Sequence, residues 1–135
     1  MQMPSSTRTA VEAADAIGCT VSQIAKSVIF RHAETSEPVL VVTSGSNMVS
    51  ADKLKQATGI VLKRADAEFV RERVGYAIGG VPPIAHKSTV HVFLDQDIKQ
   101  FDEIWAAAGT PNTVFKLTPV ALGELTGGQW LDVAK

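Results

Sequence analysis

Apolar residues in this chain come in short blocks cut by glycine and proline, and the blocks switch between a strand period and a helix period. No block approaches the roughly 20 consecutive apolar residues of a membrane span. Such alternation predicts strands and helices packed in layers around one core, with no repeats and no linker. Lys26–His32 and Pro38–Thr43 read as two strands joined through the polar turn at 34–37, a hairpin, so the sheet is not purely parallel. Ile60–Leu62, Thr89–Leu94, Thr113–Leu117 and Trp130–Val133 read as further strands, the first buried and the last at an edge. Helices are predicted after Ser5 or Ser6 (with Val11, Ala14 and Ile17 on one face and Gly18 as terminator), from Ser50 to Gly59, from Asp66 to Gly75 and after the Thr118-Pro119 pair. The clearest helical spacing of all is Ile98, Phe101, Ile104, Trp105 and Ala108, closed by Gly109. The fold class is therefore a single-domain α/β protein spanning 1–135, a mixed sheet with surrounding helices. Strand order is not legible at this level.

Length and charge narrow the function. A chain of 135 residues, 45% apolar and 20% charged, fits one globular domain. Thirteen Lys and Arg against fourteen Asp and Glu leave a net charge of −1, which excludes a protein that coats nucleic acid by charge alone. No helix-turn-helix or other DNA-reading motif is present. Lys53, Lys55, Lys63, Arg64, Arg71 and Arg73 are close together, but Asp52, Asp66, Glu68 and Glu72 are mixed among them, so a solvated helical face and a local basic face are both open readings. Met1–Thr9 is polar with no apolar leader region, and the expected address is the cytoplasm, with no membrane partner. Cys19 reads as a packing residue. With it, His32, His86 and His91 make no metal-ligand spacing, so neither a metal nor another cofactor is expected.

The most informative stretch is Tyr76-Ala-Ile-Gly-Gly-Val-Pro-Pro-Ile-Ala-His86. Gly79 and Gly80 admit backbone angles other residues avoid, whereas Pro82 and Pro83 fix φ and donate no N–H. The free amides of this stiff loop are concentrated at Gly79, Gly80 and Val81, where they can form a nest for a developing negative charge. The same pattern also serves as a tight connection between a helix and a strand. Lys26 heads an apolar strand and can project toward such a loop, or it can be a solvated strand-edge lysine. Thr43-Ser-Gly-Ser-Asn47 does not make the G-x-S-x-G elbow of a serine hydrolase, and no triad acid accompanies Ser44, Ser46 and His86.

Six blocks, Ala25-Lys-Ser-Val-Ile-Phe30, Thr43-Ser-Gly45, Ala51-Asp-Lys-Leu54, Gly79-Gly-Val-Pro-Pro83, Val92-Phe-Leu-Asp95 and Phe115-Lys-Leu-Thr-Pro119, stand in the order and spacing of the YbaK/ProX family of aminoacyl-tRNA deacylases, which the chain resembles over nearly its whole length. The family's functional signature is a Gly-x-x-x-Pro segment, matched by Gly79 to Pro83, with an upstream lysine, matched by Lys26. The resemblance implies hydrolysis of the ester that joins a mischarged amino acid to the 3′ end of a tRNA, by backbone groups rather than a nucleophilic side chain. Lys26 would hold the ester or the adjoining phosphate, and Gly79, Gly80, Val81 and Pro83 would form the catalytic loop. Val28, Phe30, Ile78, Val81 and Ile84 would wall the amino-acid pocket, with Pro82, Ser27, Ser44, Gly45 and His86 as its further substrate contacts. The pocket implied is small, suited to Ala, Ser, Thr or Cys, with tRNA for proline as carrier and a synthetase as a further partner. Two positions depart from many relatives, Ser27 where Asn or Thr is common and Ala85 where Gly is common, and both bear on which amino acid is accepted. A hydrogen-bonded structural role for His86, and a module that binds tRNA ends or adenylates without turnover, are compatible with the same residues.

Overall fold

The computed structural model describes residue 14 and residues 18–75, 91–107 and 114–134. A seven-stranded mixed sheet organises them: β1 Ile24–His32, β2 Pro38–Ser44, β3 Leu62–Arg64, β4 His91–Asp95, β5 Ile104–Ala107, β6 Val114–Leu117 and β7 Gln129–Leu131. Their order is β6-β5-β1-β2-β4-β7, and β3 pairs with β1 beside this path. The β1–β2 hairpin is antiparallel, with Lys26 opposite Thr43 and Ser27 opposite Val42. β2–β4, β4–β7 and β1–β5 are parallel, and β5–β6 is antiparallel.

The helices begin and end where their capping residues dictate. Helix α1, Ala51–Thr58, starts where the Ser50 side chain accepts from the Lys53 amide and stops at Gly59, whose φ of 78° no side-chain-bearing residue adopts cheaply. Helix α2, Ala67–Arg73, is capped by Asp66, and α3, Pro119–Thr126, by Thr118 with Pro119 in the first turn. Of the predicted N-terminal helix, only its end is described: the Gly18 amide returns to the Ala14 carbonyl at 2.8 Å.

β2 is buried at every residue because each of its faces supports a separate core. Leu40 and Val42 face one cluster with Leu94, Ile98, Ile104 and Leu122, whereas Val39 and Val41 face another with Leu54, Phe93 and Val133. Alternate residues of a strand point to opposite faces, so β2 divides the molecule into two apolar layers.

Two expectations are corrected. The helix predicted over Ile98–Ala108 is instead a 3-10 turn, Gln96–Gln100, followed by β5. Asp95 caps the turn through the Asp97 amide, Phe101 is already extended (φ −100°, ψ 149°), and burial then alternates along Ile104–Ala107. Ile98 and Ile104 are both fully buried, but from two different elements, so a spacing that mimics one helical face arises from a turn and a strand. The buried strand expected at Ile60–Leu62 lies two residues later, at Leu62–Arg64, and it is an exposed three-residue strand pairing only with the far end of β1. Val61 is left on the surface.

Candidate functional site

Lys26 is the third residue of β1, which lies between β5 and β2, so it is an interior-strand lysine and not an edge one. Strand alternation puts Lys26, Val28 and Phe30 on one face with their partners Thr43, Val41 and Val39. Ser27 lies on the opposite face. Along the side of β1 away from β2, β5 pairs at Ile24 and Ala25 and β3 pairs at Phe30–His32. Between them, the main chain from Lys26 to Ile29 has no strand neighbour among the described residues.

The Lys26 side chain is half-buried, and its Nζ donates to the Asn47 carbonyl at 3.1 Å. Burial pulls its pKa below the ordinary lysine value. No ion pair to Lys26 is found among the described residues, so the ammonium is held by a neutral acceptor and keeps donors for another group.

Asn47 is fixed in turn. Its amide donates to the Ser44 carbonyl at 2.9 Å, closing a tight turn beyond β2. Its side-chain Nδ2 donates to Asp95 Oδ2 at 2.7 Å and Asp97 Oδ2 at 2.9 Å. Asp95, at the end of β4, is fully buried; its Oδ2 also accepts the Ser44 amide at 3.1 Å and its Oδ1 the Asp97 amide at 3.0 Å. A buried carboxylate is tolerable only when its oxygens are supplied with donors, as here.

Ser44 is buried and its hydroxyl is committed to the Ser22 carbonyl at 2.7 Å, while the Gly45 amide is bonded to the Ile24 carbonyl at 2.7 Å. Among the described residues, Ser27 Oγ and Thr43 Oγ1 are buried without a hydrogen-bonding partner. Gly79, Gly80, Val81, Pro82, Pro83, Ile78, Ile84 and His86 lie outside the described residues. The structure therefore brings Lys26, Val28 and Phe30 together, turns Ser27 away from them, and ties Ser44 and Gly45 into the start of the turn. Thr43, Asn47 and Asp95 escape sequence reasoning as site residues. An Asn after Thr-Ser-Gly-Ser and an Asp ending an apolar strand are visible in the sequence, but only the β2–β4 pairing reveals that they meet.

Elsewhere, the Cys19 thiol packs with Val21, Ile24 and Trp105, and burial pushes its pKa up, the opposite of what a thiolate nucleophile requires. Among the described residues, no group of three or more His, Cys, Asp or Glu is placed to hold a metal ion. The basic run divides: Lys53 pairs with Asp132 at 3.1 Å and Arg73 lies 5.7 Å from the Phe69 ring centroid, whereas Lys63 stands directly opposite Arg31 across β3 and β1.

Residues 4–125 match the family model of the aminoacyl-tRNA editing domain. The chain belongs to that family. It is the YbaK/ProX family that the six sequence blocks resemble. The YwhH protein of Bacillus subtilis strain 168 is 33% identical over 135 residues, covering 99% of this chain and 85% of that protein. A protein of Enterococcus faecalis strain ATCC 700802 / V583, EbsC, provisionally named a Cys-tRNA(Pro)/Cys-tRNA(Cys) deacylase, is 27% identical over 123 residues, covering 89% of this chain and 73% of its own length. A crystal structure provisionally described as a trans-editing enzyme for prolyl-tRNA synthetase superposes with a TM-score of 0.92 at 43% identity, covering 100% of this chain and 85% of the other. No helix among the described residues is long and apolar enough to cross a membrane.

Proposed function

We propose that this editing domain is a deacylase that hydrolyses the ester of a small amino acid wrongly attached to tRNA, with tRNA for proline the preferred carrier. The observation that carries this reading is the half-buried Lys26, on the β1 face that also carries Val28 and Phe30, with its ammonium held by the Asn47 carbonyl. Family membership and the names of the E. faecalis and crystallographic relatives support the reaction class and the carrier.

In this reading, water attacks the ester carbonyl, the bond to the terminal ribose oxygen breaks, and free amino acid and tRNA are released. Lys26 holds the ester or the adjoining phosphate. The amides of Gly79, Gly80 and Val81 receive the carbonyl oxygen as it becomes negative, an arrangement that gains strength where water is excluded. Val28 and Phe30, on the Lys26 face, wall the amino-acid pocket. A synthetase pocket separates amino acids differing by one methylene by only about 1–3 kcal/mol, so a separate hydrolytic site is of most use against small contaminants. Alanine ranks first, ahead of serine, threonine and cysteine.

The deciding experiment incubates purified protein with tRNA for proline carrying alanine, serine, threonine, cysteine or proline, and with one tRNA carrying a large aromatic residue. Release of the small amino acids, alanine fastest, is the expected result. Binding without release would make the protein a tRNA-end module, and faster loss of the aromatic residue or of proline would overturn the small-substrate reading.

A further inference from the structure

We propose that Asn47 and Asp95 are positioning residues for Lys26, a relay from a buried carboxylate to the working ammonium; the inference rests on the deacylase reading above. Asp95 has two jobs. Its Oδ1 caps the 3-10 turn through the Asp97 amide, which alone accounts for an aspartate at this place. Its Oδ2 plays no part in that cap and is given entirely to the turn beyond β2, accepting the Ser44 amide and the Asn47 side chain. Both hydrogens of Asn47 Nδ2 are used, one on each aspartate. The side chains flanking Asn47, Ser46 and Met48, are exposed, and the apolar anchor that follows, Val49, lies two residues on against the Leu54 cluster. The same residue's carbonyl, fixed by those bonds, is the acceptor for Lys26 Nζ. A lysine carries four rotatable side-chain bonds and loses its aim easily unless its head is tethered. The tether here is a backbone atom, and the Asn47 side chain is what keeps that atom in place. An aspartate at 47 would face two carboxylates with no hydrogens to offer them, so the amide, not merely the shape, is required.

The test is a double-mutant cycle on the alanine ester of tRNA for proline, combining Lys26→Ala with Asn47→Ala. Asn47→Ala should lower kcat about tenfold with little change in KM, and in the Lys26→Ala background it should lower it no further. NMR titration of the Lys26 Cε resonance should show its pKa moving up toward the free-lysine value in Asn47→Ala, as the released head reaches water. Wild-type kcat in folded Asn47→Ala, or a loss that multiplies fully with that of Lys26→Ala, would overturn the relay while leaving the deacylase reading in place. Should Asn47→Ala not fold, Asp97→Ala decides the matter: it removes an exposed acceptor of the same Nδ2, and a smaller loss that vanishes in the Lys26→Ala background supports the relay, whereas a fully multiplicative loss or none overturns it. If wild-type protein releases no amino acid, or Lys26→Ala is undiminished, the deacylase reading itself fails, and the relay with it.

Discussion

Lys26 and Thr43 stand opposite each other across β1 and β2, on the same face of the sheet, and of the two side chains only the lysine's has a hydrogen-bonding partner among the described residues. The pairing places a tethered cation beside a buried hydroxyl. Their substitutions should behave in opposite ways.

Lys26→Ala removes a half-buried stem and leaves one carbonyl to be satisfied by water. We expect a folded protein whose deacylation rate falls about a hundredfold, on the order of 3 kcal/mol of transition-state stabilisation. Lys26→Arg should not restore the rate, since a planar fork does not fit a site made for a compact head. The checks are single-turnover hydrolysis and circular dichroism.

Thr43→Val keeps the shape and discards a buried hydroxyl that has no partner among the described residues. An unpaired hydroxyl costs about 1–3 kcal/mol in the interior, so the variant should be as stable as the parent or more so. Urea denaturation measures it, and a clearly lowered midpoint would mean that the hydroxyl is bonded in solution.

The lowered pKa of Lys26 carries a sign that can be tested. Its burial disfavours the charged form, so the unfolded chain binds this proton more tightly than the folded one. The penalty is fully present below the folded pKa and relieved as pH rises through it toward the ordinary lysine value of about 10.4. The stability of the parent relative to Lys26→Met should therefore improve with alkaline pH within that window. A difference that stays flat or widens would show the ammonium to be solvated.

Gly79→Ala and Gly80→Val should slow turnover more than Ser44→Ala, because the proposed loop acts through its amides and backbone angles. Ser44→Ala should instead cost stability, about 1 kcal/mol, since its hydroxyl is committed to the Ser22 carbonyl. Parallel measurement of rate and unfolding midpoint separates the two effects.

Local signals carry far in this sequence. Ser50, Asp66 and Thr118 each cap the helix that their position predicts, Gly59 ends one, and the hairpin expected from Lys26 to Thr43 forms, its first strand starting two residues earlier at Ile24 and its second ending one later at Ser44. Those features are settled within a few residues of chain. The region after Asp95 defeats a local reading because Ile98 and Ile104 are buried by partners far away, on β1, β2 and α3, and helical spacing cannot distinguish one apolar face from two elements. The site divides in the same way: Lys26, Val28 and Phe30 follow from strand alternation, whereas Asn47 and Asp95 meet across a separation of 48 residues. Polar residues so distant leave no local pattern to read.

Because β2 is buried from Pro38 to Ser44, its amides should be among the last to trade their protons for deuterium, and only when the entire sheet comes apart. The turn that begins at its last residue has Ser46 and Met48 in water. The tether for Lys26 thus sits at a seam between the slowest-exchanging part of the chain and a solvent-washed loop, and it can let go of the lysine without disturbing the strand that carries it.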